Sequence, residues 1–432
     1  MQTILLVSLQ LCRLSFISIM RAKGLLIASV LFCISSAVVH AQILTQEDSL
    51  YAGLISREQS TVISGYGEAH YSLDTRRKTS EATLKRVVLF VGHKFNNKIS
   101  LFTEMELEDA LVVGELGDEG GAGKGGISME QAFLKFNLNP TTYIVAGLFI
   151  PRMGFLNENH LPTTFNGVDR PFLEELVIPT TWREIGVGLY GTFKNVPGLN
   201  YSLALTNGLN SSAFENGSGI RNGRQLGSKA SGLAMAASGS LLYYINNFRI
   251  QASAYIGGST AVERRVADSL QLNSGAFGNP VILYEANAQY SNNGWNVRLI
   301  GTSISIKDAA NINKAYANNT PNNLYGGYWE AGYNLFYKKY KDEKALILFG
   351  RYEYMDLSAK IPSSGVKNDA NKQQYIIAGL TFKPIRGVAI KADYVQRITG
   401  TPNPALIVTP FPQQVPYFKS DGFVNLGVTY NF

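Results

Sequence analysis

Residues Gly422-Phe-Val-Asn-Leu-Gly-Val-Thr-Tyr-Asn-Phe432 alternate apolar and polar and stop on an aromatic. Val424, Leu426, Val428, Tyr430 and Phe432 fall on one face, and Asn425, Gly427, Thr429 and Asn431 on the other. A period of two over about ten residues has the length and pattern of a strand that crosses a bilayer in a barrel wall. The last strand of a soluble sandwich alternates in the same way, so the rest of the chain has to decide between the two.

Working back from this end, the same unit recurs. The pattern predicts strands near 60-74, 84-95, 99-109, 127-138, 141-151, 182-193, 199-208, 232-245, 248-258, 281-291, 295-306, 325-338, 345-357, 373-383, 388-398 and 422-432. The connectors alternate short and long. The short ones, such as Phe95-Asn-Asn-Lys98, Ile245-Asn-Asn247 and Ser291-Asn-Asn-Gly294, carry the residues that close hairpins. The long ones lie near 75-83, 110-126, 152-181, 209-231, 259-280, 307-324, 358-372 and 399-421. A sandwich has no reason to keep its long loops at one end. A transmembrane barrel has short periplasmic turns and longer outer loops, and an even strand number returns both termini to the periplasmic side. The fold class predicted is an all-β, transmembrane, antiparallel up-and-down barrel of about sixteen strands over 60-432.

The strand faces agree. Val388, Ile390, Ala392 and Tyr394 oppose Lys391, Asp393 and Arg397. Leu101, Thr103, Met105 and Leu107 oppose Glu104, Glu106 and Glu108. Leu346, Leu348, Tyr352 and Tyr354 oppose Arg351 and Glu353, and Trp295, Val297 and Leu299 oppose Arg298. In a bilayer this is forced, since a Lys or Arg facing lipid at the midplane costs about 2–4 kcal/mol. Glu104, Glu106, Glu108, Arg298, Arg351, Glu353, Lys391 and Asp393 are therefore predicted to line the lumen.

The opposite end of the chain has the parts of a secretory signal peptide. Arg13, Arg21 and Lys23 precede an apolar stretch from Gly24 to Val39, and Val39-His-Ala41 resembles a cleavage site. Met20 is an alternative start. Removing 1-41 takes away both cysteines, Cys12 and Cys33, and lowers the formal charge from +7 to +4, because three basic residues and no acids leave. A cysteine-free chain suits an oxidising periplasm, and +4 is too mild a charge for a nucleic-acid partner. Mean hydropathy of -0.01 fits a wall that is apolar on its outer face only. Residues 42-59 read as a short periplasmic segment, either a tail or a small helix.

Sixteen strands enclose water, whereas eight leave a lumen filled by side chains. The expected function is passive diffusion of small hydrophilic solutes or ions through an outer membrane, with selectivity set by charge at a constriction. The third long connector, 152-181, is the longest. It is rich in Phe and Leu where its neighbours are rich in Gly, Asn and Ser. Apolar residues in a loop need cover, and folding into the barrel supplies it. Arg152, Arg170 and Arg183, set against Glu158, Asp169, Glu174 and Glu175, are the predicted constriction charges. An adhesin acting through the long loops, or a dedicated sugar or oligomer uptake channel, are the other classes compatible with such a barrel.

Two stretches resemble a known family. Gly147-Leu-Phe-Ile-Pro-Arg-Met-Gly-Phe-Leu-Asn-Glu158 and Pro179-Thr-Thr-Trp-Arg-Glu-Ile-Gly-Val-Gly-Leu-Tyr190 are similar to the phosphate-selective porin O and P group. That resemblance implies a sixteen-stranded barrel, often trimeric, that passes small anions such as phosphate by means of clustered basic residues in its throat. Here the matching loop offers Arg152 and Arg170. The terminal strand resembles the insertion signal of bacterial outer-membrane barrels. This implies Tyr430 and Phe432 as the signal, the barrel-assembly machinery as a partner during insertion, and membrane lipid as the surrounding solvent.

Other motifs carry less. The stretch from Gly114 to Gly126 lacks the first glycine and the final Ser or Thr of a phosphate-binding loop. His70, His93 and His160 do not have metal-ligand spacing, so neither a metal nor a cofactor is expected. No nucleophile elbow appears, and no enzyme is expected.

Overall fold

The computed structural model describes residues 60–109, 126–340, 343–403 and 418–432. The predicted signal peptide 1-41, the segment 42-59 and most of the glycine-rich stretch 114-126 lie outside the described residues. Among those described, sixteen strands follow one another. They are β1 (Thr61–Asp74), β2 (Thr79–Lys94), β3 (Ile99–Glu108), β4 (Gly126–Asn139), β5 (Thr142–Phe149), β6 (Glu184–Thr192), β7 (Leu199–Asn207) and β8 (Met235–Ile245). They continue with β9 (Phe248–Gly257), β10 (Val281–Asn292), β11 (Trp295–Ile306), β12 (Asn323–Asn334), β13 (Ala345–Lys360), β14 (Lys372–Ile385), β15 (Val388–Thr399) and β16 (Ser420–Asn431). Each pairs antiparallel with its sequence neighbours, and β1 pairs with β16, so the sheet closes into the predicted barrel.

Closure leaves no open edge, which is what a strand-built wall needs in lipid. At the seam the Phe432 N–H donates to the Gly65 carbonyl at 2.9 Å, and the Gly65 N–H donates to the Phe432 carbonyl at 3.1 Å. Tyr430 lies against Gly67, where an added Cβ would come within 2.6 Å of the tyrosine hydroxyl. Outward positions expose large apolar side chains all round the wall. Leu203 and Leu299 are each 58% exposed and Leu348 is 53% exposed. In water so continuous a belt would drive association; hydrocarbon is the solvent that suits it. Glu285, Arg351 and Lys391 point the other way and are buried.

Three details differ from the sequence expectation. The connector predicted at 75-83 is a tight turn at 75–78, and β2 starts at Thr79. The Asp74 carboxylate accepts the Arg76 and Arg77 N–H groups at 2.9 and 2.8 Å and so closes the turn. β12 ends at Asn334, short of the predicted 338. Finally, the connectors carry short helices. These are α1 (Leu173–Leu176), α2 (Arg264–Ser269), α3 (Ala309–Tyr316) and α4 (Tyr337–Tyr340), which no helix-period stretch had announced.

Candidate functional site

The connector between β5 and β6, residues 150–183, packs against the inner face of the wall. Its Met153, Phe155, Leu156, Phe165, Leu173, Leu176 and Trp182 are buried in one cluster with the interior side chains Tyr255, Ile300, Tyr328, Phe349, Tyr375, Ile377 and Val395. Phe172 stacks on Tyr375 with ring centroids 4.1 Å apart. Full burial of such a side chain contributes about 1.5–3 kcal/mol. The inner face is therefore not uniformly polar, as the alternation alone implied. Where the connector lies, the wall turns apolar to receive it. A signal for this existed in β14, where Tyr375 and Ile377 face inward while Ile376 and Leu380 face out, so that both faces are apolar.

An irregular backbone in a water-poor interior must find hydrogen-bond partners, and the strand charges provide them. Lys391 Nζ donates to the Pro162 carbonyl at 2.6 Å and sits 4.0 Å from the Phe165 ring centroid. Lys383 Nζ donates to the Thr163 carbonyl at 2.7 Å, Arg298 to that of Thr164 at 2.8 Å and Arg351 to that of Asn166 at 2.9 Å. In the opposite sense, Asp393 accepts the Val168 N–H at 2.6 Å and Glu353 accepts the Leu173 N–H at 2.8 Å. Gly167 has φ +85°, and a Cβ there would stand 2.6 Å from Arg351 Nη2. Of the eight predicted lumen residues, Arg298, Arg351, Glu353, Lys391 and Asp393 thus act as sockets for one loop. Arg351 also lies between Glu330 at 3.2 Å and Glu353 at 3.5 Å. Glu104 accepts from Gln131 at 2.6 Å, Glu106 pairs with Arg86 at 3.4 Å, and Glu108 is exposed at the strand end.

The predicted constriction charges divide by partner. Arg152 pairs with Glu158 at 2.6 Å, and this carboxylate, together with the Tyr143 and Tyr190 rings, holds its guanidinium pKa above the ordinary value although burial works to lower it. Glu174 is buried and accepts the N–H groups of Phe155 and Leu156, each at 2.8 Å, and the Tyr328 hydroxyl at 2.7 Å. Burial pushes its carboxyl above the usual range. Glu175 meets Arg221 of the next long connector at 3.3 Å. Asp169 meets His70 of β1 at 3.4 Å. Arg183 donates to Ser128 at 3.2 Å. Arg170 is buried, with its Nε and Nη2 lacking hydrogen-bond partners. Sequence reasoning missed Lys383, Glu330, His70, Glu130 and Arg221, whose partners lie far away along the chain.

The charges are not evenly spread. Glu68, Glu104, Glu106 and Glu130 crowd the inner face of β1, β3 and β4, with Arg86 of β2 among them. Arg298, Arg351, Lys383, Lys391 and Arg397 belong to β11 and β13–β15. Glu330 of β12, Glu353 of β13 and Asp393 of β15 stand among them, so the second group is mixed in charge where the first is mostly acidic, and the connector touches both.

No protein-family profile matches the chain. An uncharacterized protein of Aquifex aeolicus (strain VF5) is 31% identical over 347 residues, covering 77% of this chain and 75% of that protein. Among solved structures, Salmonella typhi OmpF in complex with Daunomycin aligns with a TM-score of 0.52 at 12% identity, over 86% of this chain and 97% of that one. An anion-selective porin from Comamonas acidovorans aligns with a TM-score of 0.51 at 11% identity, over 86% of this chain and 99% of that one. At such identities the likeness establishes the barrel fold of outer-membrane porins.

Proposed function

This chain belongs to the same family as the uncharacterized Aquifex aeolicus protein, and from its sixteen-stranded porin fold we propose that it is a passive diffusion channel of the outer membrane for small hydrophilic solutes or ions. The observation that carries the reading is residues 150–183, gripped by strand charges on the inside of a wall wide enough to hold them. A loop so placed narrows the passage and sets its charge. The protein acts without chemistry on its solute. Residues 1-41 direct export, Tyr430 and Phe432 at the seam present the insertion signal to the assembly machinery, and the apolar outer belt contacts lipid and, in a homotrimer, neighbouring subunits.

For charge preference, Arg152 is paired with Glu158 and Arg183 donates to Ser128, whereas Arg170 is buried with two nitrogens lacking hydrogen-bond partners. Anions, phosphate among them, are the solutes such a group favours. The experiment is conductance in planar bilayers with asymmetric KCl. Stepwise channels with a modest anion preference are expected. A unit charge about 4 Å from a passing ion in water is worth about 1 kcal/mol, so Arg170→Ala should lower anion permeability by up to about fivefold and raise cation permeability by up to as much. Millimolar phosphate should block chloride current, and Arg170→Ala should relieve the block. Folded protein that inserts without conducting would remove the channel reading; conductance that phosphate leaves untouched would remove only the phosphate.

A further inference from the structure

Glu104 of β3, Glu130 of β4 and His160 of the third long connector meet in the barrel interior. One ligand atom from each lies within 4.8 Å of those from the other two, and all three residues are buried, at 1%, 0% and 3% exposure. His160 Nδ1 stands 3.1 Å from the Asn157 carbonyl. A carbonyl only accepts, so Nδ1 carries the hydrogen, and Nε2 faces Glu130 Oε2, 3.4 Å away. A ring whose other nitrogen is tied to a carbonyl is the usual second-shell arrangement of a metal-bound histidine. Two ligands on a tetrahedral ion with bonds of 2.0–2.1 Å are separated by about 3.4 Å.

The unsatisfied atoms point the same way. His160 Nε2 and Glu104 Oε1 are buried without hydrogen-bond partners. The remaining carboxylate oxygens are held in position. Gln131 donates to Glu104 Oε2 at 2.6 Å, Thr181 to Glu130 Oε1 at 3.2 Å and Tyr66 to Glu130 Oε2 at 3.1 Å. Buried acceptors that face one another need a proton or a cation between them. Arg86 is drawn off by Glu68 at 2.6 Å and Glu106 at 3.4 Å.

We propose that Glu104, Glu130 and His160 form a binding site for a divalent cation of the zinc class, which staples the third long connector to the β3–β4 wall. Two carboxylates balance a double positive charge. One imidazole among oxygens favours zinc over calcium or magnesium, which take oxygen shells. Three protein ligands leave a fourth position for water. The rival is a protonated His160 paired with Glu130, with no ion involved. The inference stands apart from what the barrel conducts.

The test is calorimetric titration of the full-length, folded protein, stripped with a chelator, using Zn²⁺ and then Mg²⁺. Heat-modifiable mobility in a denaturing gel confirms that each variant is folded. One Zn²⁺ per chain is expected, with no Mg²⁺ competition and with a tetrahedral absorption spectrum when Co²⁺ is substituted. Glu104→Gln, which keeps shape and can still bond Gln131, should weaken Zn²⁺ at least about 10-fold, as should His160→Ala. The proposal is overturned if the folded wild type takes up no Zn²⁺, or if Glu104→Gln and His160→Ala bind it as the wild type does; either result assigns the pair to a proton.

Discussion

The two walls that meet the third long connector hold it by different means. On the β11–β15 side the strand charges grip main-chain atoms: Lys391, Lys383, Arg298 and Arg351 take the carbonyls of Pro162, Thr163, Thr164 and Asn166, while Asp393 and Glu353 take N–H groups. On the β1–β4 side the contacts run between side chains: His70 with Asp169, His160 with Glu130, Thr181 with Glu130. Main-chain groups do not titrate, so on the first wall only the strand side chain of each contact can be altered. Side-chain pairs change with pH and with ions, so the second is the wall at which the connector can be loosened. Charges that look alike in sequence thus hold main-chain atoms on one side and side chains on the other.

The comparison breaks most sharply at Arg351. Arg351→Met would leave Glu330 and Glu353 buried without their cation and the Asn166 carbonyl without its donor. Breaking one member of a buried ionic group costs about 3–5 kcal/mol. Urea unfolding from lipid vesicles should show that loss, with residues 162–173 becoming open to protease. An unshifted midpoint would mean the clamp is not electrostatic. Next comes Glu174→Ala, which orphans the N–H groups of Phe155 and Leu156 and the Tyr328 hydroxyl. It should cost about 1–3 kcal/mol and raise open-channel current noise as the first half of the connector loosens.

On the side-chain wall, acid is the lever. Burial works to raise the Asp169 carboxyl, but its hydrogen bond to His70 more than offsets this and holds it below the usual carboxylate range, with Glu68 opposing and Lys85 assisting. A depressed carboxyl contributes stability that is present at neutral pH and lost as pH falls through the folded value, here below about 4. Amide protection at 169–170 should therefore fall on acidification below the ordinary carboxylate value of about 3.9, while protection at 172–173, on the clamp side, persists. Equal loss at both would erase the distinction. The smallest effect belongs to Arg152→Ala. Its partner Glu158 has a third of its side chain in solvent, so about 0.2–1 kcal/mol is expected, and the reversal potential should hold because a paired charge adds little field.

The strands and the sense of their faces could be read directly, because each depends only on near neighbours and on lipid outside. Leu426 must face out and Asn425 in whatever the rest of the chain does. The inward connector announced itself through Phe155, Leu156, Phe172 and Leu176, too apolar for an outer loop. Its partners did not. Tyr375 and Ile377 made both faces of β14 apolar, but nothing local said which loop they would receive. His160 was discounted for want of spacing to other ligands along the chain, and its neighbours Glu104 and Glu130 come from other elements altogether.

Local patterning along the chain was enough to specify an oily outer face, a charged inner one and hairpins that step round the wall. It could not specify which inner charges meet which loop atoms. Lys391 reaches Pro162 across 229 residues, and such pairs exist only once β16 has closed on β1 and the enclosed volume forces loop and wall together.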